Sequence, residues 1–260
     1  MSRPSTHTPW GIATAGLALG CLVSAMVFAP ARWLAHWVQT LSFGQVMLSD
    51  ARGTVWRGSA CLTLTGGVGS HDASTLPGRL AWVVSPSLSG GNVQLQADCC
   101  MPQATMAHIQ PLWGGLQVSL ADHRSQWPAQ LLAGLGTPWN TILAQGDLVL
   151  STRELAITHV AGRLLLTGQA QLDIMNMSSH LSTVRPMGSY RVTLTGGASP
   201  TLTLATLQGS LQLSGSGQWV GGKLRFNGEA SALPDHLDAL SNLLNIIGKR
   251  NGPRAMIKVG

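Results

Sequence analysis

Acidic residues are scarce, 10 in 260, and none stands in a Glu-x-x-His or Asp-x-Asp arrangement, the usual foundation of a metal or acid/base site. Charged residues of both signs make up only 10% of the chain, and the net charge of +6 comes from scattered Lys and Arg with no basic run longer than Lys249-Arg250. A nucleic-acid-binding surface needs a clustered positive stripe, so that class is excluded. No phosphate loop is present either, because the glycines precede strand-like runs and not a helix start. The adjacent pairs His71-Asp72 and Asp122-His123 would point to opposite faces of a strand. Cys99, Cys100 and His108 lack a fourth ligand and zinc-type spacing. The expectation is a protein that is not an enzyme and has no cofactor and no metal.

What the chain does have is an uncharged apolar stretch from Gly11 to Pro30, roughly 30 Å of helix at about 1.5 Å per residue, enough to span a bilayer. A cleaved signal peptide ending at Ala29-Pro30-Ala31 is the alternative, although the stretch exceeds an ordinary signal core of about 7 to 15 residues. Either reading sends the rest of the chain across the membrane. The expected division is a cytoplasmic tail over 1–10, a transmembrane anchor over 11–30, a juxtamembrane connector over 31–44 and a β domain over 45–260. Trp33 and Trp37, one turn apart, suit either an aromatic belt at the headgroups or the docking of a helix on the domain.

From Gln45 onward apolar residues recur at every second position, as in Val46 and Leu48, Leu62 and Leu64, or Leu116, Val118 and Leu120. That is the strand period. Glycine, 31 residues in all, falls between these runs, where tight turns close. Pro128 with the following residues to Gly134 reads as a short helix, and a second helix is expected near 234–247, where Leu237, Leu240, Leu243, Leu244 and Ile247 share a face and Gly248 with Lys249 and Arg250 suits the end. Longer strand runs lie between them, Asp147 to Ser151 and Leu155 to Val160 among them, and Ala255, Ile257 and Val259 read as a last strand. The fold class is therefore mainly β, a curved, largely antiparallel multi-stranded sheet behind an N-terminal membrane helix, with short helices near 128–134 and 234–247. Outside the cytoplasm a disulfide is permitted among Cys61, Cys99 and Cys100, with pairing open and a free thiol the alternative.

Three Trp-bearing turns punctuate this pattern. Gly53-Thr54-Val55-Trp56-Arg57-Gly58 stands near the start of the domain, Leu135-Gly136-Thr137-Pro138-Trp139-Asn140-Thr141 in the middle, and Gly217-Gln218-Trp219-Val220-Gly221 near the end. Together with Gly188-Ser189-Tyr190-Arg191 and Leu243-Leu244-Asn245-Ile246-Ile247-Gly248, they resemble the protein N family of bacterial type II secretion systems. The resemblance implies an accessory component of the cell inner membrane, single-pass, with its C-terminal domain in the periplasm and other secretion components as partners. It carries over no catalytic residues. Gly53, Thr54, Trp56, Gly58, Gly136, Pro138, Trp139, Asn140 and Trp219 are the candidate structural or contact motif, acting either as interface anchors or as packing at sheet corners. A second class is an AsmA-like lipid-handling or envelope-maintenance module with lipid as partner. It would need an apolar sheet face that the helices at Pro128 and Pro234 leave uncovered.

Overall fold

Period-two alternation over most of the chain becomes one antiparallel sheet. The computed structural model describes residues 10–260. Two helices come first, α1 (Trp10–Val27) and α2 (Ala31–Leu41). The N-terminal half of the sheet then holds β1 (Val46–Gly53), β2 (Arg57–Thr65), β3 (Ala73–Thr75), β4 (Leu80–Ser87), β5 (Gly90–Ala97), β6 (Thr105–Leu112), β7 (Gly115–Leu120) and β8 (His123–Pro128). A 3-10 helix, Ala129–Leu135, and the short α3 (Trp139–Ile142) lead into β9 (Gln145–Val160), β10 (Arg163–Ser178), β11 (Gly188–Gly197), β12 (Thr201–Gly209), β13 (Leu211–Val220) and β14 (Lys223–Ala232). The chain closes with a 3-10 turn at Pro234–His236, α4 (Leu237–Ile247), β15 (Lys249–Asn251) and β16 (Arg254–Val259).

The 16 strands form one sheet in the order β1-β2-β4-β5-β6-β7-β9-β10-β11-β12-β13-β14-β16-β15, with β3 paired to β2 and β8 to β9. Directly opposed residues share a face, and the register sorts the two faces by polarity. One cross-strand row reads Ala170, Leu194, Leu202, Gly217, Phe226 and Val259. The neighbouring row on the other face reads Gln171, Thr193, Thr203, Ser216, Asn227 and Lys258. From β4 to β14, every paired Asp, Glu, Lys and Arg stands on the polar face.

Helices cover one margin of the apolar face. Leu240, Leu243 and Leu244 of α4 are buried against Tyr190, Leu211 and Ala230. Leu131 of the 3-10 helix packs with Leu76, Leu62 and Leu80, and Ala31 and Leu34 of α2 pack on Ala60, Trp82 and Leu95. The Tyr190 phenol, its ionisation pushed up by burial, stays protonated and donates to the Leu211 carbonyl at 3.1 Å.

Several expectations change in detail. The helix at Pro128 is a 3-10 helix that starts at Ala129, and Pro128 is its N-cap, ending β8. The expected pair of runs over 147–151 and 155–160 is one 16-residue strand, β9, bent where Glu154 takes φ of 46°. Lys249 and Arg250 do not finish a helix but form the edge strand β15, whose charges discourage pairing with another chain. Within the expected span 11–30, the helix ends at Val27. Among the described residues no helix is long and apolar enough to cross a membrane. The expected cytoplasmic tail, apart from Trp10, lies outside the described residues.

On the polar face Arg191 binds Asp173 through two contacts of 2.7 and 2.9 Å. This guanidinium holds the Asp173 carboxyl below its ordinary range. A depressed folded-state value contributes stability above the unfolded carboxylate pKa of about 3.9 and loses it as pH falls through the folded value. Asp173→Asn is expected to make the fall in stability below about pH 4 shallower, measured by denaturant melts across pH.

Candidate functional site

The turn between β1 and β2 holds the junction of the two N-terminal helices. The Val55 N–H donates to the Ala29 carbonyl at 2.9 Å, Pro30 forms an isolated antiparallel bridge with Thr54, and the Trp56 indole N–H donates to the Met26 carbonyl at 2.8 Å. Met26 is in the last turn of α1, where carbonyls have no intrahelical donor, so Trp56 caps that helix from the sheet. Beneath the turn, the buried Trp82 sends its indole N–H to the Thr54 and Val55 carbonyls at 3.3 and 3.1 Å. Ala29 and Ala31 are 7% and 1% exposed. The turn is thus a collar around the helix junction.

Its glycines are required sterically. Gly53 has φ of 86°, and a side chain there would strike the Arg57 carbonyl. At Gly58 an added Cβ would lie 2.6 Å from both the Arg52 carbonyl oxygen and the Trp82 ring, and 2.9 Å from the Thr54 carbonyl oxygen. Behind the collar, Arg79 binds the Asp50 carboxylate and carbonyl, both at 2.7 Å, and the Ser59 carbonyl at 2.9 Å. That fixes the bulge in β1. Trp56→Phe keeps most of the ring but removes the bond to Met26, and is expected to cost about 0.5–1.5 kcal/mol, with faster amide exchange in the last turn of α1.

Around the collar lies an apolar groove between α1 and α2, lined by Leu22, Met26, Trp33, Leu34, Trp37 and Trp56. Trp33 and Trp37 are 52% and 68% exposed. They therefore do not dock α2 on the sheet, a task that Ala31 and Leu34 perform.

The second Trp motif is separate. Gly136 has φ of 80° and Thr137-Pro138 is cis, which leads into α3 with Trp139 half-buried. The Asn140 amide donates to the Asp72 carboxylate at 3.0 Å, tying α3 to the loop before β3. Asn140→Ala is expected to cost about 1 kcal/mol in a thermal melt. Trp219 is on β13, paired with Leu224 on the apolar face, so the three Trp motifs do not converge.

Cys99 and Cys100 are bonded to each other, with Cα atoms 3.8 Å apart, beside a hollow lined by Pro77, Met101, Trp127 and Asp147. Cys61 and Cys21 are free. The two His-Asp neighbours have structural tasks. Asp72 receives Asn140, and the Asp122 carboxylate receives the Glu154 N–H at 2.7 Å. His123 is held toward its neutral form by burial. His108 bonds Gln110 at 2.9 Å across the polar face, and among the described residues no three His, Cys, Asp or Glu side chains are grouped to hold a metal ion. The partners of the collar were not readable from the sequence, because Met26 and Trp56 are separated by 30 residues.

Residues 44–257 match the family model described as Type II secretion system (T2SS), protein N. No curated protein matches the chain, and no solved structure does.

Proposed function

Because the chain belongs to the type II secretion system protein N family, we propose that it is an accessory component of that machinery, anchored in the inner membrane by residues 11–30 and working through contacts of its periplasmic sheet. The observation that carries this reading is the collar, which fastens the junction of α1 and α2 to the sheet. From Ala13 to Phe28 every side chain is exposed and none is charged. An uncharged, mostly apolar helix whose side chains are all exposed has its natural solvent in a bilayer. The sheet edges favour side-chain contact over strand addition, since β15 is short and basic and β1 lies under α2.

The collar also supports retention of the anchor. Cleavage at Ala31 would remove Ala29 and Pro30, the partners of Val55 and Thr54. Intact mass of the protein extracted from membranes is expected to include residues 11–30, and a soluble chain starting at Arg32 would overturn the anchored reading. Co-purification of the full chain from secreting cells is expected to retain other type II secretion components. Their consistent absence would contradict the contact role.

A second reading, the AsmA-like lipid-handling module, is favoured by one observation. The helices leave a margin of the apolar face uncovered, and Ile109, Val118, Leu194 and Leu202 lie outside all three buried clusters.

A further inference from the structure

We propose that this uncovered strip of the sheet holds the acyl chains of phospholipid drawn from the membrane at α1; the inference rests on the lipid-handling reading and adds the surface and the route. The strip follows two cross-strand rows. In the N-terminal half, Gly91, Ile109, Val118, Ile157 and Leu166 are successive partners across β5, β6, β7, β9 and β10. In the C-terminal half, beyond the register shift between Leu166 and Gln169 on β10, a second apolar row runs from Ala170 through Leu194 and Leu202 to Phe226 on β14. Counting strands at about 4.8 Å each, the path from β4 to β14 is roughly 43 Å long. Ile157 and Leu164 are 41% and 66% exposed on it, while Leu166 and Phe226 are buried within it, the Phe226 ring lying over Gly215 and Gly228.

Two features select acyl chains over a protein partner. The first is chemistry. A protein interface carries about one hydrogen bond per 100–200 Å², yet the charged side chains of these strands stand on the opposite face and the strand backbones are already paired with one another. Hydrocarbon needs no such partner. The second is continuity. Leu34 lines the apolar groove between α1 and α2 and, like Val84 and Leu95, packs against the buried Ala31, Ala60 and Trp82, and Val84 and Val93 are paired beside the strip. A chain leaving the bilayer along α1 therefore meets apolar surface without crossing a polar margin.

The test uses the full-length protein in vesicles of phosphatidylethanolamine and phosphatidylglycerol that carry a photoreactive group at the acyl end. Label is expected on peptides of β6, β7 and β9 to β12. Val118→Asp and Ile157→Asp, each on the strip, are expected to reduce that label about tenfold, the factor that 1.4 kcal/mol of lost affinity gives. Thr203→Asp, on the polar face, is expected to leave it unchanged, and thermal melts establish that each variant is folded. Ile157 is the more exposed site, so its variant keeps the test valid if Val118→Asp does not fold. Label confined to α1 and α2 would overturn the strip as the route while leaving lipid handling in place. Absence of label anywhere beyond α1, or a crosslinked second copy of the chain across the strip, would overturn both.

Discussion

Gly58→Val is expected to destabilise the protein severely, costing about 3 kcal/mol or more. The added side chain meets two backbone carbonyls, of Arg52 and Thr54, and the ring of Trp82. Backbone cannot retreat without breaking the β1–β2 pairing, and Trp82, 3% exposed, has nowhere to swing. Gly53→Val adds a β-branched residue at positive φ, a conformation costing about 1–2 kcal/mol before any clash. Thermal melts of the detergent-extracted protein measure both effects. Wild-type melting for both variants would mean that the turn is loose and does not clamp the helices.

The second large effect is expected at α4. Leu240 is fully buried among Leu243, Leu244, Tyr190 and Ala230, so Leu240→Ala should destabilise by about 2–5 kcal/mol through lost burial and the cavity left behind. The exposed neighbour Ile246, at 39%, supplies the comparison, with Ile246→Ala expected to cost well under half as much. Equal effects at the two positions would show that α4 does not seal this margin of the sheet.

Much of this fold was legible as period. The alternation of Leu211, Leu213, Gly215 and Gly217 on one face with Gln212, Ser214, Ser216 and Gln218 on the other is the register of β13 with its neighbours. The apolar positions of the last helix likewise placed α4. Where local order broke, the reading broke with it. Leu155 to Val160 looked separate from Asp147 to Ser151 because Glu154 takes positive φ, a turn-like signal that here is a bulge tied to Asp122. The β8 sequence His123-Arg124-Ser125-Gln126-Trp127 carries little apolar alternation, because its inward residues include His123 and the buried Ser125. Local sequence also could not tell whether Trp33 or Ala31 and Leu34 faced the sheet.

The candidate site divided in the same way. Gly53 and Gly58 announced a constrained turn, and its conformation follows from them. What the turn grips did not follow, since Trp56 reaches back to Met26 and Trp82 reaches to Thr54 across intervals that no local pattern encodes. Membership of the protein N family names the machinery. The collar supplies a physical reason for the motif at its start.

The proposed mode of action is contact between this sheet and other secretion components. Site-specific photocrosslinking in cells actively secreting through the type II pathway tests it most directly, with the probe at position 139 beside α3 and at position 203 on the polar face. Adducts with identified secretion-system components are expected from at least one of these positions, and are expected to be lost when the machinery is not produced. Adducts with lipid alone, or the same adducts in cells lacking the machinery, would contradict it.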